Sequence, residues 1–192
     1  FDLLNEWMVR SEIRDALAKL YIRNLKTNRE EELVITDEKV ITSGASLMQK
    51  DRNTNKLYIG YNSPKTPGKS YIYNIATKEK KLVKEEIVPS GHQSNDYIVE
   101  RLNCDSHDGR KIPLTITRHK KTKLDGSANL LLYAYGSYGA SMGPGFSSSR
   151  LSLINRDIIW VTAHVRGGME RGMSFWQEGK MLNKKNTFED YI

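Results

Sequence analysis

The chain holds 192 residues, 38% of them hydrophobic and 28% charged. That is enough sequence for one or two domains with buried cores, and too polar for a protein embedded in lipid. The net charge of +7 is spread thinly, which argues against a nucleic-acid groove, where basic residues alternate with aromatics on one surface.

No apolar run approaches the ~20 residues of a membrane span, so neither nucleic acid nor membrane is expected as a partner. The first residues, Phe1 to Trp7, read as folded protein rather than as a secretory leader. The single cysteine, Cys104, cannot form an internal disulfide. A reducing, cytoplasmic location is expected, with Cys104 as a small strand or core residue.

In chain order, residues 1–99 read as short β-strands. "EWMVRSEI", "AKLYIRNL", "EELVIT", "KLYIGYN", "SYIYNIAT" and "KKLVKEEIV" are separated by polar, glycine or proline punctuation. In "YIGY" and "YIYNI", aromatic or branched residues alternate with smaller or polar ones, which suits half-buried strands of a sheet, sandwich or propeller blade. "RDALAKL" has the length for two helical turns, but its neighbours favour strand. "DRNTNK" at 51–56 begins like a calcium loop, yet Lys56 replaces the glycine and Asn62 the final glutamate. A hairpin turn is expected there.

After residue 100 the pattern changes. "KIPLTITR" reads as a strand with a proline near its start. "HKKTK" at 119–123, beside the turn-rich "LDGSAN", reads as a solvated loop. "ANLLLYAYG" and "DIIWVTAHVRGG" are nearly continuous apolar runs, as in strands covered on both faces by helices. Between them, "SSSRLSLINR" predicts a short helix capped by Ser149. The order strand, glycine loop, helix, strand, glycine loop is α/β. In "NTFEDYI", Thr187 and Asp190 have the spacing of a capping-box helix start. One helical turn is not stable alone, so both ends of the chain are expected to be cut.

Two motifs invite a catalytic reading. "GASMG", Gly139 to Gly143, has the G-x-S-x-G spacing of a hydrolase nucleophile elbow. An elbow needs a helix directly after the serine, and Gly143, Pro144 and Gly145 oppose one. The later histidine, His164, lies in the second apolar run. Asp157 is seven residues before it, about 23 Å along a strand at ~3.3 Å per residue, so no triad assembles around Ser141. His164 is expected to bond within the core. His92, His107 and His119 lie in polar turns without metal-ligand spacing, so no metal and no cofactor is expected. "RGG" at 166–168 matches an RNA-binding repeat unit, but it occurs once, directly after a strand.

Longer stretches are more specific. "LYAYGSYG", "FSSSRLSL", "AHVRGGMERG", "WQEGK" and "KKNTFEDYI", preceded in order by "GYNSPKTP", "LVKEEIVP" and "YIVERLNCDSHDGRKIPLT", resemble the prolyl oligopeptidase family of serine peptidases, and within it the oligopeptidase B branch. The resemblance implies that residues 1–99 are the last part of a seven-bladed β-propeller. It implies that residues 100–192 open an α/β-hydrolase domain.

It also implies hydrolysis of short peptides after Arg or Lys by a Ser, Asp, His triad, all of whose members lie outside this sequence, so the chain alone is expected to be inactive. Tyr135 matches the family's oxyanion-hole tyrosine, and Tyr138 is expected to line the substrate pocket. Two departures stand out. Met169 replaces a glycine of the family's "RGGGE" pattern, a strained substitution if that position needs φ > 0. Ala134 replaces the glycine of "YGYG". Two other readings stay open: a non-catalytic β-propeller-like interaction module, and a small esterase using Ser141.

Overall fold

The computed structural model describes residues 1–47 and 52–192. Its first half contains two four-stranded antiparallel sheets. Strands β1 (Asp2–Leu3), β2 (Trp7–Arg14), β3 (Leu17–Asn24) and β4 (Glu30–Glu32) form one, in that order. Strands β5 (Thr42–Leu47), β6 (Lys56–Asn62), β7 (Lys69–Asn74) and β8 (Lys80–Glu85) form the next.

Each sheet is a simple meander. The same turn closes both: Asn24 Oδ1 accepts from the Lys26 and Thr27 amides, and Asn74 Oδ1 from the Ala76 and Thr77 amides. Asn28 and Lys78 then take positive φ. "NLKTN" and "NIATK" are therefore equivalent turns, and the two sheets are two copies of one unit.

Alternation within the strands decides what is buried. In β6, Leu57, Ile59 and Tyr61 point inward while Lys56 and Tyr58 are exposed. They join Val9, Leu20 and Ile22 of the first sheet in a shared core. Burying Leu57 or Ile59 contributes roughly 1.5–3 kcal/mol. The "RDALAKL" segment makes no helix. Asp15 (φ 51) and Ala16 (φ 63) instead form a two-residue hairpin tip between β2 and β3, the left-handed pair of a type I′ turn. Of the sequence singled out at 51–56, Asp51 lies outside the described residues, and Arg52 to Asn55 lead into β6.

A third sheet has the order β11-β12-β10-β9, from β9 (Tyr97–Asp105), β10 (Lys111–His119), β11 (Leu130–Tyr133) and β12 (Ile159–Ala163). Strands β9, β10 and β12 pair antiparallel, and β11 joins β12 in parallel. The helix α1 (Ser148–Ile154) makes the crossover between β11 and β12 and buries Leu151 and Ile154. Its N-cap is Ser147, whose hydroxyl accepts from the Arg150 amide, not Ser149.

The two apolar runs differ. Val161 to Ala163 of β12 are buried, but β11 is an edge strand with Leu130 exposed. Short helices α2 (Met173–Gln177) and α3 (Lys185–Glu189) follow. Thr187 does not begin α3; it lies inside it, and its hydroxyl donates to the Arg166 carbonyl at 2.7 Å. No helix among the described residues is long and apolar enough to cross a membrane.

Candidate active site around the glycine loops

Strand β11 ends at Tyr133, and the chain runs through Ala134 and Tyr135 into Gly136, which turns with φ 62. A second loop leaves β12 through His164, Val165 and Arg166 to Gly167 at φ 99. The two loops interlock. The Gly139 amide donates to the Gly167 carbonyl at 2.9 Å. A side chain on Gly167 would place its Cβ 2.0 Å from the Gly136 oxygen, and one on Gly136 would meet Thr187 and Val165 at 2.5 Å. Only glycine permits so close an approach. Lys184 crosses over and donates to the Gly136 carbonyl at 2.6 Å and Ser137 Oγ at 2.8 Å. Partial burial of its ammonium lowers the Lys184 pKa.

This construction leaves the Tyr135 ring half exposed at the C-terminal end of a parallel strand, and its hydroxyl bonds no described residue. Crevices at such strand ends are where α/β sheets place their chemistry. Tyr138 is almost wholly exposed, at φ 56. It borders a cleft of about 350 Å³ lined also by Ser137, Trp176, Lys180 and Lys184. The Lys180 ammonium lies 3.6 Å above the Trp176 ring. A cleft of about 460 Å³ within the first two sheets is remote from these residues.

Ser141 stands in irregular chain, with no helix until Ser148 and no hydrogen bond from its side chain to any described residue. "GASMG" is thus not an elbow. One Ser–His–carboxylate line exists among the described residues: Ser106 Oγ is 3.2 Å from His107 Nδ1, and His107 Nε2 is 2.9 Å from Glu189. Its hydroxyl donates to Asp190 at 2.6 Å, so Ser106 is a bridge rather than a nucleophile. Arg166 of the "RGG" stretch is buried against Asp190, which removes it from any nucleic-acid surface.

Beneath the glycine loops lie two buried titratable groups that sequence reasoning did not connect. His164 is fully buried; Nε2 lies 2.8 Å from Thr115 Oγ1 and 3.1 Å from Arg101 Nη1. A guanidinium only donates, so Nε2 is the acceptor and Nδ1 carries the ring proton. Burial first, then the Arg101 charge, pushes the His164 pKa down to about 3, with a small opposing contribution from the Met142 carbonyl. Nδ1 itself completes no hydrogen bond of ordinary geometry.

Glu170 is also buried, and desolvation raises its pKa; Oε1 accepts from the Met142 amide at 2.9 Å. Met169 does not take positive φ, so the strain expected from its replacement of glycine does not arise; its side chain packs over Gly139.

The sign of the His164 effect is testable. Its folded pKa lies below the unfolded 6.5, so its stabilisation is present above 6.5 and is lost as pH falls toward 3. Glu170, shifted upward, acts with the opposite sign. The difference between wild type and His164→Gln isolates the histidine. Between about pH 6.5 and 4.5, wild type is expected to lose ~2 kcal/mol more unfolding free energy than His164→Gln, the slope approaching ~1.4 kcal/mol per pH unit below the unfolded pKa. Parallel urea midpoints for the two proteins across that window would refute the assignment.

Comparison with known families matches residues 1–86 to the N-terminal beta-propeller domain of prolyl oligopeptidase and residues 144–192 to the prolyl oligopeptidase family. The chain is 38% identical to dipeptidyl aminopeptidase BI of Pseudoxanthomonas mexicana over 193 aligned residues, covering 100% of this chain and 26% of that protein. The chain belongs to the prolyl oligopeptidase family.

It is also 37% identical to protease 2 of Moraxella lacunata, over 77% of this chain and 21% of the relative. Oligopeptidase B from Trypanosoma brucei, with covalently bound antipain, superposes with a TM-score of 0.89 at 32% identity, covering 99% of this chain and 28% of that one. The chain spans about a quarter of the length of these relatives. Within the prolyl oligopeptidase fold, the first two sheets are β-propeller blades and the third opens the α/β-hydrolase domain.

Proposed function

We propose that this chain is the part of a serine oligopeptidase that joins the end of the propeller, residues 1–99, to the start of the catalytic domain, residues 100–192. In this reading Tyr135 supplies its phenolic hydroxyl to the oxyanion formed when a serine attacks a peptide carbonyl. The second donor is a backbone N–H beside that serine. The serine, aspartate and histidine come from polypeptide outside these 192 residues.

The observation that carries the reading is the position of Tyr135. Its hydroxyl, bonded to no described residue, stands at the C-terminal end of β11, on the sheet edge that no described strand covers. A further parallel strand added to that edge would bring its own C-terminal end, and any nucleophile on it, beside Tyr135. Tyr138 lines the substrate cleft. Short peptides cut after Arg or Lys are the substrates, in the cytoplasm, without nucleic acid or membrane.

Fluorophosphonate labelling of the complete protein, followed by peptide mapping, tests this. The label is expected on a serine outside this chain, with arginyl and lysyl amides hydrolysed faster than prolyl ones in the same samples. A label on Ser141 would overturn the proposal, and a prolyl preference would overturn the assigned specificity.

A further inference from the structure

The hairpin tip between β2 and β3 reaches out of its blade and into the catalytic half. The Ala16 amide donates to the Glu170 carbonyl at 3.1 Å. Asp15 Oδ1 accepts from Arg171 Nε at 2.6 Å, and the Asp15 carbonyl accepts from Arg101 Nη2. Both tip residues hold left-handed φ without being glycine, and Ala16 is buried. Such strain persists where the surroundings fix the backbone, and it gathers at functional contacts.

Two links run onward from this tip, and the first reaches Met142. Glu170, held at its carbonyl by Ala16, accepts the Met142 amide on Oε1. Arg101, held by the Asp15 carbonyl, donates through Nη1 to His164 Nε2 and to Thr115 Oγ1. Met142 belongs to the loop that begins at Tyr135. Glu170 Oε2 and His164 Nδ1 are buried polar atoms that complete no hydrogen bond. Burying them so has a cost that a purely structural pair would avoid.

We propose that the Asp15–Ala16 tip, braced by Arg101 and its partner His164, positions Met142 through Glu170, so that docking of the blade onto the catalytic half sets the loop carrying Tyr135. Asp15, Ala16, Arg101, Glu170 and His164 are then positioning residues. The consequence for catalysis rests on the oxyanion role of Tyr135; the mechanical link does not.

Amide hydrogen exchange of the complete protein separates the two. Arg101→Leu removes one link, and the milder Arg101→Lys offers a compact ammonium that cannot bridge the Asp15 carbonyl and the His164 ring together. Both are expected to raise exchange of the 139–142 amides by about ten-fold or more while the β6 amides of the second blade stay protected.

If Arg101→Leu does not fold, Arg101→Lys alone decides. Unchanged exchange in a folded Arg101→Lys would overturn the proposal. Turnover of an arginyl amide is followed alongside, with Tyr135→Phe as the control that leaves exchange untouched. A Tyr135→Phe protein of normal activity would sink the oxyanion reading, whereas loop exchange that rises on substitution of Arg101 would still establish the link.

Discussion

Asp190→Ala is expected to lower the stability of the fold by about 3–5 kcal/mol, the cost of orphaning a buried charge. Arg166 and Asp190 have side chains only 3% and 0% exposed. The carboxylate takes Arg166 Nη2 at 2.6 Å, Arg166 Nε at 3.0 and 3.1 Å, the Arg166 backbone amide at 2.8 Å and the Ser106 hydroxyl at 2.6 Å. It thus ties α3 to the loop after β12 and to the turn between β9 and β10. Asp108, 2.6 Å from Nη1 and more exposed, remains to hold the guanidinium in the variant. It keeps the effect within that range but cannot replace the bonds to Nε and the backbone. Asp190→Asn retains an acceptor and is expected to cost about half as much. Urea unfolding of the three proteins checks this, with a shift in midpoint at constant slope. An Asp190→Ala shift worth less than about 1 kcal/mol would place the pair among ion pairs of surface strength.

How much was legible in the sequence depended on whether the signal was local. The alternation in "KLYIGYN" was enough to place β6, and the strands named from sequence in the first half appear as β2, β3, β6, β7 and β8, whereas "EELVIT" holds only the end of the short β4, which stops at Glu32. β5, "TSGASL", was missed because Thr, Ser, Gly and Ala carry no apolar signature; it is a strand because β6 pairs along it. The three serines around the start of α1 look alike as caps, and only the burial of Leu151 and Ile154 sets the helical phase that selects Ser147.

Thr187 reads as a cap because its shorter bond, to the Arg166 carbonyl, comes from a loop 21 residues earlier. The glycines of the site announced a loop. Arg101, Thr115 and His164 met only through the sheet, 63 residues separating the arginine from the histidine. Glu170 gave no signal beyond being a charged residue after "RGGM". The role given to Tyr135 came from the family motif, and the geometry supplies its setting.

That role carries the second large effect. The Tyr135 hydroxyl is unbonded and half exposed in the described residues, so Tyr135→Phe removes one oxygen without leaving a buried partner and is expected to leave stability unchanged within about 0.5 kcal/mol. If the hydroxyl meets charge only when the tetrahedral oxyanion forms, its loss acts on the transition state and not on the bound substrate. Loss of one oxyanion donor typically costs about 10²–10³ in rate, or ~3–4 kcal/mol of barrier. The decisive measurement is steady-state hydrolysis of an arginyl amide by the complete enzyme and its Tyr135→Phe variant. A kcat lowered by about 10²–10³ with KM little changed is the predicted result. A kcat within about threefold of wild type would contradict it, because no donor to the oxyanion would then have been removed.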